Sequence, residues 1–319
     1  MVREEVFNRL FLTFDVEDFV NTRSIDALCL VLKSLRRHHL EGLFFITGHM
    51  AEKLQHHPNI INMLGYHEIG YHSTSHSVHP NIFEYTDLPS YQDAYQVSLI
   101  REVSHINSLS GEIEGNGGIG LLRDIFPHKK IQAFRAPGFS WSPPHLDALR
   151  SLGIKYDFST NLYNIPIFHK GISFFPFPFF IDNINYDGLV RSVIRDSVTV
   201  LDFHPHFSVN QTYWDNPFLQ KYNPQVVFKV PQRTLMQRKK ILLKFEILLN
   251  MIRLLRKSGL IETGIYLTES EMKLNINRIN LQKTYHDMVL WPKTLFNYKP
   301  KYIYSHLLNF LGLKNVKYP

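Results

Sequence analysis

Seven short apolar runs of strand-like composition set the strongest limit on what this chain can fold into. They cover residues 10–14, 42–46, 68–71, 131–134, 154–156, 198–201 and 263–267. Helical patterns lie between several of them. Residues 24–37 carry Ile25, Leu28, Val31, Leu32 and Leu35 at a 3.6-residue period, and residues 91–109 and 144–152 read similarly. Residues 235–257 form the strongest helical pattern, with Arg256 and Lys257 at its end and Gly259 just past it. Strands alternating with helices predict an α/β fold around a parallel sheet.

Reactive side chains gather at one end of these runs. Asp15 follows the first, His72 the third, Arg135 the fourth, Asp157 the fifth, and His204 closes the sixth after Leu201-Asp-Phe. In a parallel barrel the C-terminal strand ends form a single face, and active sites are built there. Residues from separate runs are therefore candidates for one site. His72 has a second imidazole four residues on, in His72-Ser-Thr-Ser-His76. One helical turn apart, two such rings can reach one divalent ion with Zn–N bonds of about 2.0–2.1 Å. The chain has 17 histidines, so a pair at this spacing draws its weight from its companions.

Five ordered segments resemble the NodB-like polysaccharide deacetylases, carbohydrate esterase family 4. They are Thr13-Phe-Asp-Val-Glu-Asp18, His72-Ser-Thr-Ser-His76, Phe134-Arg-Ala-Pro-Gly138, Tyr156-Asp-Phe-Ser159 and Asp202-Phe-His-Pro205. The resemblance implies a distorted (β/α)7 barrel over residues 8–272, followed by a basic, aromatic-rich extension over 273–319. It also implies hydrolysis of an N-acetyl amide. His72, His76 and one carboxylate would hold a divalent metal, zinc in the first place, with cobalt, nickel or manganese as alternatives. Asp15 would be the general base, His204 the general acid and Arg135 the partner that orients Asp15. The backbone N–H of Gly138 would face the oxyanion. Asp157 is the candidate for orienting His204.

The first segment departs from the adjacent aspartates of many family members, reading Asp15-Val16-Glu17-Asp18. Strand alternation sends Asp15 and Glu17 to the same side and favours Glu17 as the third ligand. A turn after Val16 would bring in Asp18 instead, so both stay open.

Composition narrows the setting. No run approaches the ~20 apolar residues of a membrane span. The lone Cys29 excludes an internal disulfide and a cysteine-cluster metal site, and reads as a buried core residue. The start of the chain lacks a charged segment followed by an apolar one, which leads to the expectation of a cytoplasmic protein. The net charge of +7 is uneven: residues 233–257 hold eight basic residues and one acid, as do residues 273–319. The remainder is net acidic, which suggests an anionic surface or ligand near the C-terminal part. Its lysines are too dispersed for a nucleic-acid stripe.

Three features stand apart. Gly115-Asn-Gly-Gly-Ile-Gly120 matches a dinucleotide fingerprint, but a polar segment precedes it where a βαβ unit needs a strand, so it reads as a flexible loop. Phe174-Phe-Pro-Phe-Pro-Phe-Phe180 reads as an irregular edge strand packed into the barrel, with a wall for sugar faces or a lipid chain as the other reading. The aromatic and basic residues of 273–319 suit either a membrane interface or packing across the barrel. His49, His67 and His79 have no motif support and read as structural.

The expectation is a cytoplasmic, metal-dependent N-deacetylase, peripheral to the inner face of the membrane. Its substrate would be an N-acetylated amino sugar in a surface-glycan precursor, on a lipid or nucleotide carrier. Two alternatives stay open: a metal-independent C–N hydrolase of the same superfamily acting on a ureide or cyclic amide, and a catalytically silent glycan- or membrane-binding barrel.

Overall fold

The computed structural model describes residues 8–76, 90–107, 112–139, 143–159, 167–169, 171–176, 178–181, 193, 198–214 and 230–263. In chain order these form β1 (Asn8–Val16), α1 (Arg23–His38), β2 (Leu43–Ile46), α2 (Gly48–Leu54), α3 (Pro58–Leu64), β3 (Glu68–Tyr71), α4 (Tyr91–Val103), β4 (Ser104–Ile106), β5 (Ile113–Asn116) and α5 (Gly118–Ile125). There follow β6 (Ala133–Phe134), α6 (Pro143–Ser151), β7 (Tyr156–Asp157), β8 (Ile167–His169), β9 (Ile172–Phe174), β10 (Phe179–Phe180), β11 (Val198–Phe203), α7 (Leu235–Lys257) and β12 (Ile261–Thr263).

The main sheet runs β10-β11-β1-β2-β3-β6-β7-β9-β8, and β12 also pairs with β1. Every pairing in it is parallel except β8 with β9. In a flat sheet with strands about 4.8 Å apart, the end of β6 would lie roughly 14 Å from β1. Arg135, just past β6, nevertheless donates to Asp15 of β1 at 2.7 Å and to Asp202 of β11 at 2.6 Å. The sheet therefore curls into part of a barrel, the α/β architecture expected of a NodB-like deacetylase.

Period-2 alternation divides the strands between two layers. Leu10, Leu12, Phe14 and Val16 of β1 point outward into the large core shared with the helices. Phe11 points inward, against Phe158 and Phe175. That inner cluster also holds Leu43, Phe45, Ala133, Val198 and Val200. The inward set of β1 continues through Thr13 and Asp15 towards Glu17, so the site grows out of the top of the barrel interior. Gly70 belongs to the same logic. A Cβ there would lie 2.5 Å from the Phe45 ring, so the missing side chain makes room for the aromatic on the next strand.

α7 covers residues 235–257 as its periodicity predicts, with Thr234 and Gln237 forming a capping box. The first and third helical patterns also hold within a residue or two. The second stops at Val103, where the chain enters β4. The last strand lies earlier than residues 263–267, at Ile261–Thr263, and the rest of that run falls outside the described residues. The glycine stretch is not a loop: Ile113–Asn116 is a strand antiparallel to β4, Gly117 precedes α5, and no parallel βαβ unit surrounds it. Cys29 is half-buried rather than buried. The extension 273–319, its junction at 272, and His79 lie outside the described residues. Among the described residues, no helix is long and apolar enough to cross a membrane.

Candidate active site

Three donor groups meet at the barrel mouth. Glu17 Oε2 lies 3.1 Å from His72 Nε2 and 2.9 Å from His76 Nε2. All three side chains are buried. His72 Nδ1 is 2.6 Å from the carbonyl oxygen of Arg135. A carbonyl accepts only, so Nδ1 carries a proton; Nε2, which donates to Glu17 when protonated, faces Glu17 and His76 and holds the lone pair of the neutral ring. This is the tautomer a metal ligand needs, with its outer nitrogen held by backbone. Two imidazoles and a carboxylate, each with a ligand atom within 4.8 Å of the others, fit a divalent ion that accepts nitrogen and oxygen donors.

The two histidines are not on a helix. They flank a loop with Ser73 at φ 61° and His76 at φ 27°, left-handed conformations that cost a residue with a side chain energy. The first turn of α2 holds the loop: the N–H groups of Gly48 and His49 donate to the carbonyls of Ser73 and Thr74 at 2.9 and 3.1 Å. Behind it, Thr74 Oγ1 lies 2.8 Å from the Tyr71 hydroxyl, which donates to buried Glu102. The rings of His72 and His76 are thereby brought to a centroid separation of 4.9 Å.

The two acids after Val16 point in different directions. Glu17 joins the histidines, and Trp214 Nε1 donates to its other oxygen at 2.8 Å. Burial alone would raise the Glu17 carboxyl, but the imidazoles of His76 and His204 and the hydrogen bonds from His72 and His76 hold it well below the usual carboxylate range. Asp18, named beside Glu17 as a possible ligand from sequence, has a different task. It accepts from the N–H of Asn21, from Ser24 Oγ at the start of α1, and from Asn210 Nδ2 at 3.0 Å. Its burial pushes the carboxyl upward.

Asp15 lies beside this candidate donor set. Its Oδ2 is 4.0 Å from His72 Nε2 and 3.6 Å from His204 Nε2, while Oδ1 accepts from Arg135 Nη1 at 2.7 Å. Arg135 is wholly buried over the Phe45 ring and also donates to Thr13 Oγ1 at 2.8 Å. Burial would lower its pKa, but Asp15 and Asp202 raise it.

The carboxylate beside His204 is Asp202, with Oδ2 3.5 Å from Nδ1, and not Asp157. Asp157 pairs in register with Phe134, whose side chain enters the outer core, and so shares its outward direction. Its oxygens accept from the N–H and hydroxyl of Ser159, both at 3.0 Å. Asp202 pairs with Thr13 and faces inward. Burial raises its carboxyl against the pull of Arg135. Asp202 and Trp214 were not singled out from sequence. The first stood in view two residues before His204, at the position that alternation sends to the same face.

Gly138 sits exposed in the turn after Arg135 with φ 57°, which suits glycine. Beyond it, Phe139 packs on Phe180 at 5.7 Å, Phe180 lies over the His204 ring at 6.3 Å, and Tyr213 meets that ring edge-on at 5.1 Å. The phenylalanine-rich segment thus splits its duties. Phe174 and Phe175 are buried in the core, and Phe180 borders the site.

A model of the polysaccharide deacetylase family matches residues 4–156. The match covers just under half of the chain, and over this stretch the chain is similar to that family. His204 and Asp202 lie beyond the matched stretch, and the curl of the sheet joins them to it. Among solved structures, the chain is similar to a Mycobacterium smegmatis protein provisionally assigned to the polysaccharide deacetylases, at 13% identity over 84% of this chain and 96% of that one, TM-score 0.47. It is similar to a family 4 carbohydrate esterase from Streptomyces lividans in complex with acetate, at 14% identity over 81% and 92%, TM-score 0.39. A family 4 pseudoenzyme from Bacillus anthracis aligns at 14% identity over 62% of this chain and 55% of that one, TM-score 0.36. No curated protein matches the chain.

Proposed function

We propose that the chain is a metal-dependent N-deacetylase that removes acetyl from an N-acetylated amino sugar in a surface-glycan precursor. One observation carries the reading: the Glu17–His72–His76 donor set has a further carboxylate, Asp15, and a third imidazole, His204, beside it. When bound by Glu17, His72 and His76, a divalent ion, zinc by preference, supplies a Lewis acid that acidifies water and polarises an amide carbonyl.

The chain's own groups do the rest. Asp15 takes the proton of the attacking water at Oδ2, the oxygen Arg135 leaves open. His204 gives its proton to the departing amine at Nε2, with Asp202 beside the far side of its ring. Positioned proton transfers of this kind contribute ~10²–10⁴-fold each. The N–H of Gly138 meets the oxyanion, and Phe139, Phe180 and Tyr213 offer apolar faces to the sugar ring.

The carrier is anionic and the enzyme works at the cytoplasmic face of a membrane. In support, α7 shows Arg238, Lys239, Lys240 and Lys244 among exposed Leu235, Met236 and Leu243. The test is acetate release from lipid- and nucleotide-linked N-acetylhexosamines by protein loaded with zinc, cobalt, nickel or manganese. Release that stops on chelation and in Asp15→Asn supports the reading. No acetate from any conjugate favours a silent barrel, and release that survives chelation favours a metal-independent C–N hydrolase.

A further inference from the structure

A second cluster of ligating side chains lies outside the active site. His49 and Glu52 occupy successive turns of α2, and His105 stands on β4. Glu52 Oε2 lies 3.2 Å from His49 Nδ1, and its Oε1 contacts His105 Nδ1. The three offer ligand atoms all within 4.8 Å of one another. In tetrahedral coordination with bonds of about 2.0–2.1 Å, ligand atoms sit about 3.3 Å apart, close to the His49–Glu52 separation. His49 is buried, while Glu52 and His105 are partly open to solvent, which gives an ion a way in. Glu114 of β5 brings Oε2 to 3.9 Å from His105 Nε2, the far nitrogen of that ring. A carboxylate behind a ligating imidazole is the usual outer partner of a metal-bound histidine. His49 Nε2, by contrast, is buried with no hydrogen-bond partner among the described residues.

We infer that His49, Glu52 and His105 form a second, structural divalent-cation site, of zinc-type two-imidazole, one-carboxylate chemistry. It lies apart from the active site yet in contact with its frame. The same first turn of α2 that carries His49 donates to the carbonyls between His72 and His76. The His49 ring packs on Phe19 at 4.8 Å, and Phe19 packs on Trp214, the donor to Glu17. An ion here clamps the β4–β5 ribbon to α2 and steadies the loop of the catalytic histidines. The inference stands apart from the deacetylase reading, since it concerns neither Glu17 nor its chemistry.

Zinc alone is the probe. Protein loaded with zinc and desalted is expected to hold two ions per chain by elemental analysis, His105→Gln one, His76→Gln one, and the double variant none. In the His76→Gln protein, X-ray absorption at the zinc edge should report two imidazoles and oxygen donors, and added zinc should raise the melting temperature. That rise should vanish in His76→Gln/His105→Gln. Glu52→Gln, which keeps the size and shape of the side chain, should weaken this site tenfold or more. The inference is overturned if folded His105→Gln or Glu52→Gln retains the wild-type zinc content and affinity, or if folded His76→Gln holds no zinc. If His76→Gln still holds two ions and His105→Gln one, the second site stands and the assignment of the first one falls.

Discussion

Replacing Trp214 by phenylalanine isolates one hydrogen bond in the active-site frame. The indole N–H donates to Glu17 Oε1 at 2.8 Å in a buried setting, while the other carboxylate oxygen faces His72 and His76. A phenyl ring retains much of the packing on Phe19 and His76, whose rings lie 5.1 and 5.3 Å from the indole. The loss is therefore chiefly the donor. A hydrogen bond to a charged group contributes about 1.5–3 kcal/mol, and at about 1.4 kcal/mol per decade this weakens metal binding by about 10–150-fold. Loss of an outer partner of a metal ligand falls in the same range. The assay is zinc competition against a chromophoric chelator, in a His105→Gln background so that only the Glu17 site reports. Acetate release at saturating zinc should fall far less than affinity does. An affinity within about threefold of the parent, in a folded protein, would refute the claim that this hydrogen bond orients Glu17.

Three further outcomes follow from the geometry. Arg135→Met leaves Asp15 and Asp202 buried without their cation and should cost about 3–5 kcal/mol in urea unfolding; adding Asp202→Asn should recover part of that, and no recovery would argue against the shared ion pair. Glu17→Gln should abolish zinc binding at the catalytic site while Asp18→Asn keeps it and lowers stability, by isothermal titration and melting; the reverse pattern would exchange their roles. Burial, and to a lesser extent Lys129, push His67 down from 6.5 to about 4, and its neutral Nδ1 accepts the N–H of Gly42 at 3.4 Å. The unfolded chain thus takes up a proton the folded one refuses, so stability present above about pH 6.5 is lost as pH falls towards 4, by roughly 3 kcal/mol at most. His67→Gln should flatten that limb of the stability–pH curve, measured by urea unfolding at several pH values.

Much of this protein was legible before its fold was seen, because the informative signals are local. Runs of strand length followed by Asp15, His72, Arg135 and His204 are fixed by the period of the backbone, which also put Glu17 on the side of Asp15. The helix of residues 235–257 announces itself by its apolar period and its cap. Strands of three or four residues, such as β4, β5 and β8, and helices of seven or eight, such as α2 and α5, carry too little periodicity to read.

What only the tertiary structure decided are relations between residues distant in sequence. Asp157 and Asp202 both lie at the C-terminal end of a strand, and nothing local says which faces His204. Register does: Asp157 lies beside outward Phe134, and Asp202 beside inward Thr13. The loop of His72 and His76 owes its left-handed residues to hydrogen bonds from α2, and Glu17 owes its orientation to Trp214, 197 positions away. The sequence determined which chemical groups stand at the strand ends. The curl of the sheet decided which of them meet, because side chains converge only when strands that a flat sheet would hold apart are bent round a common axis.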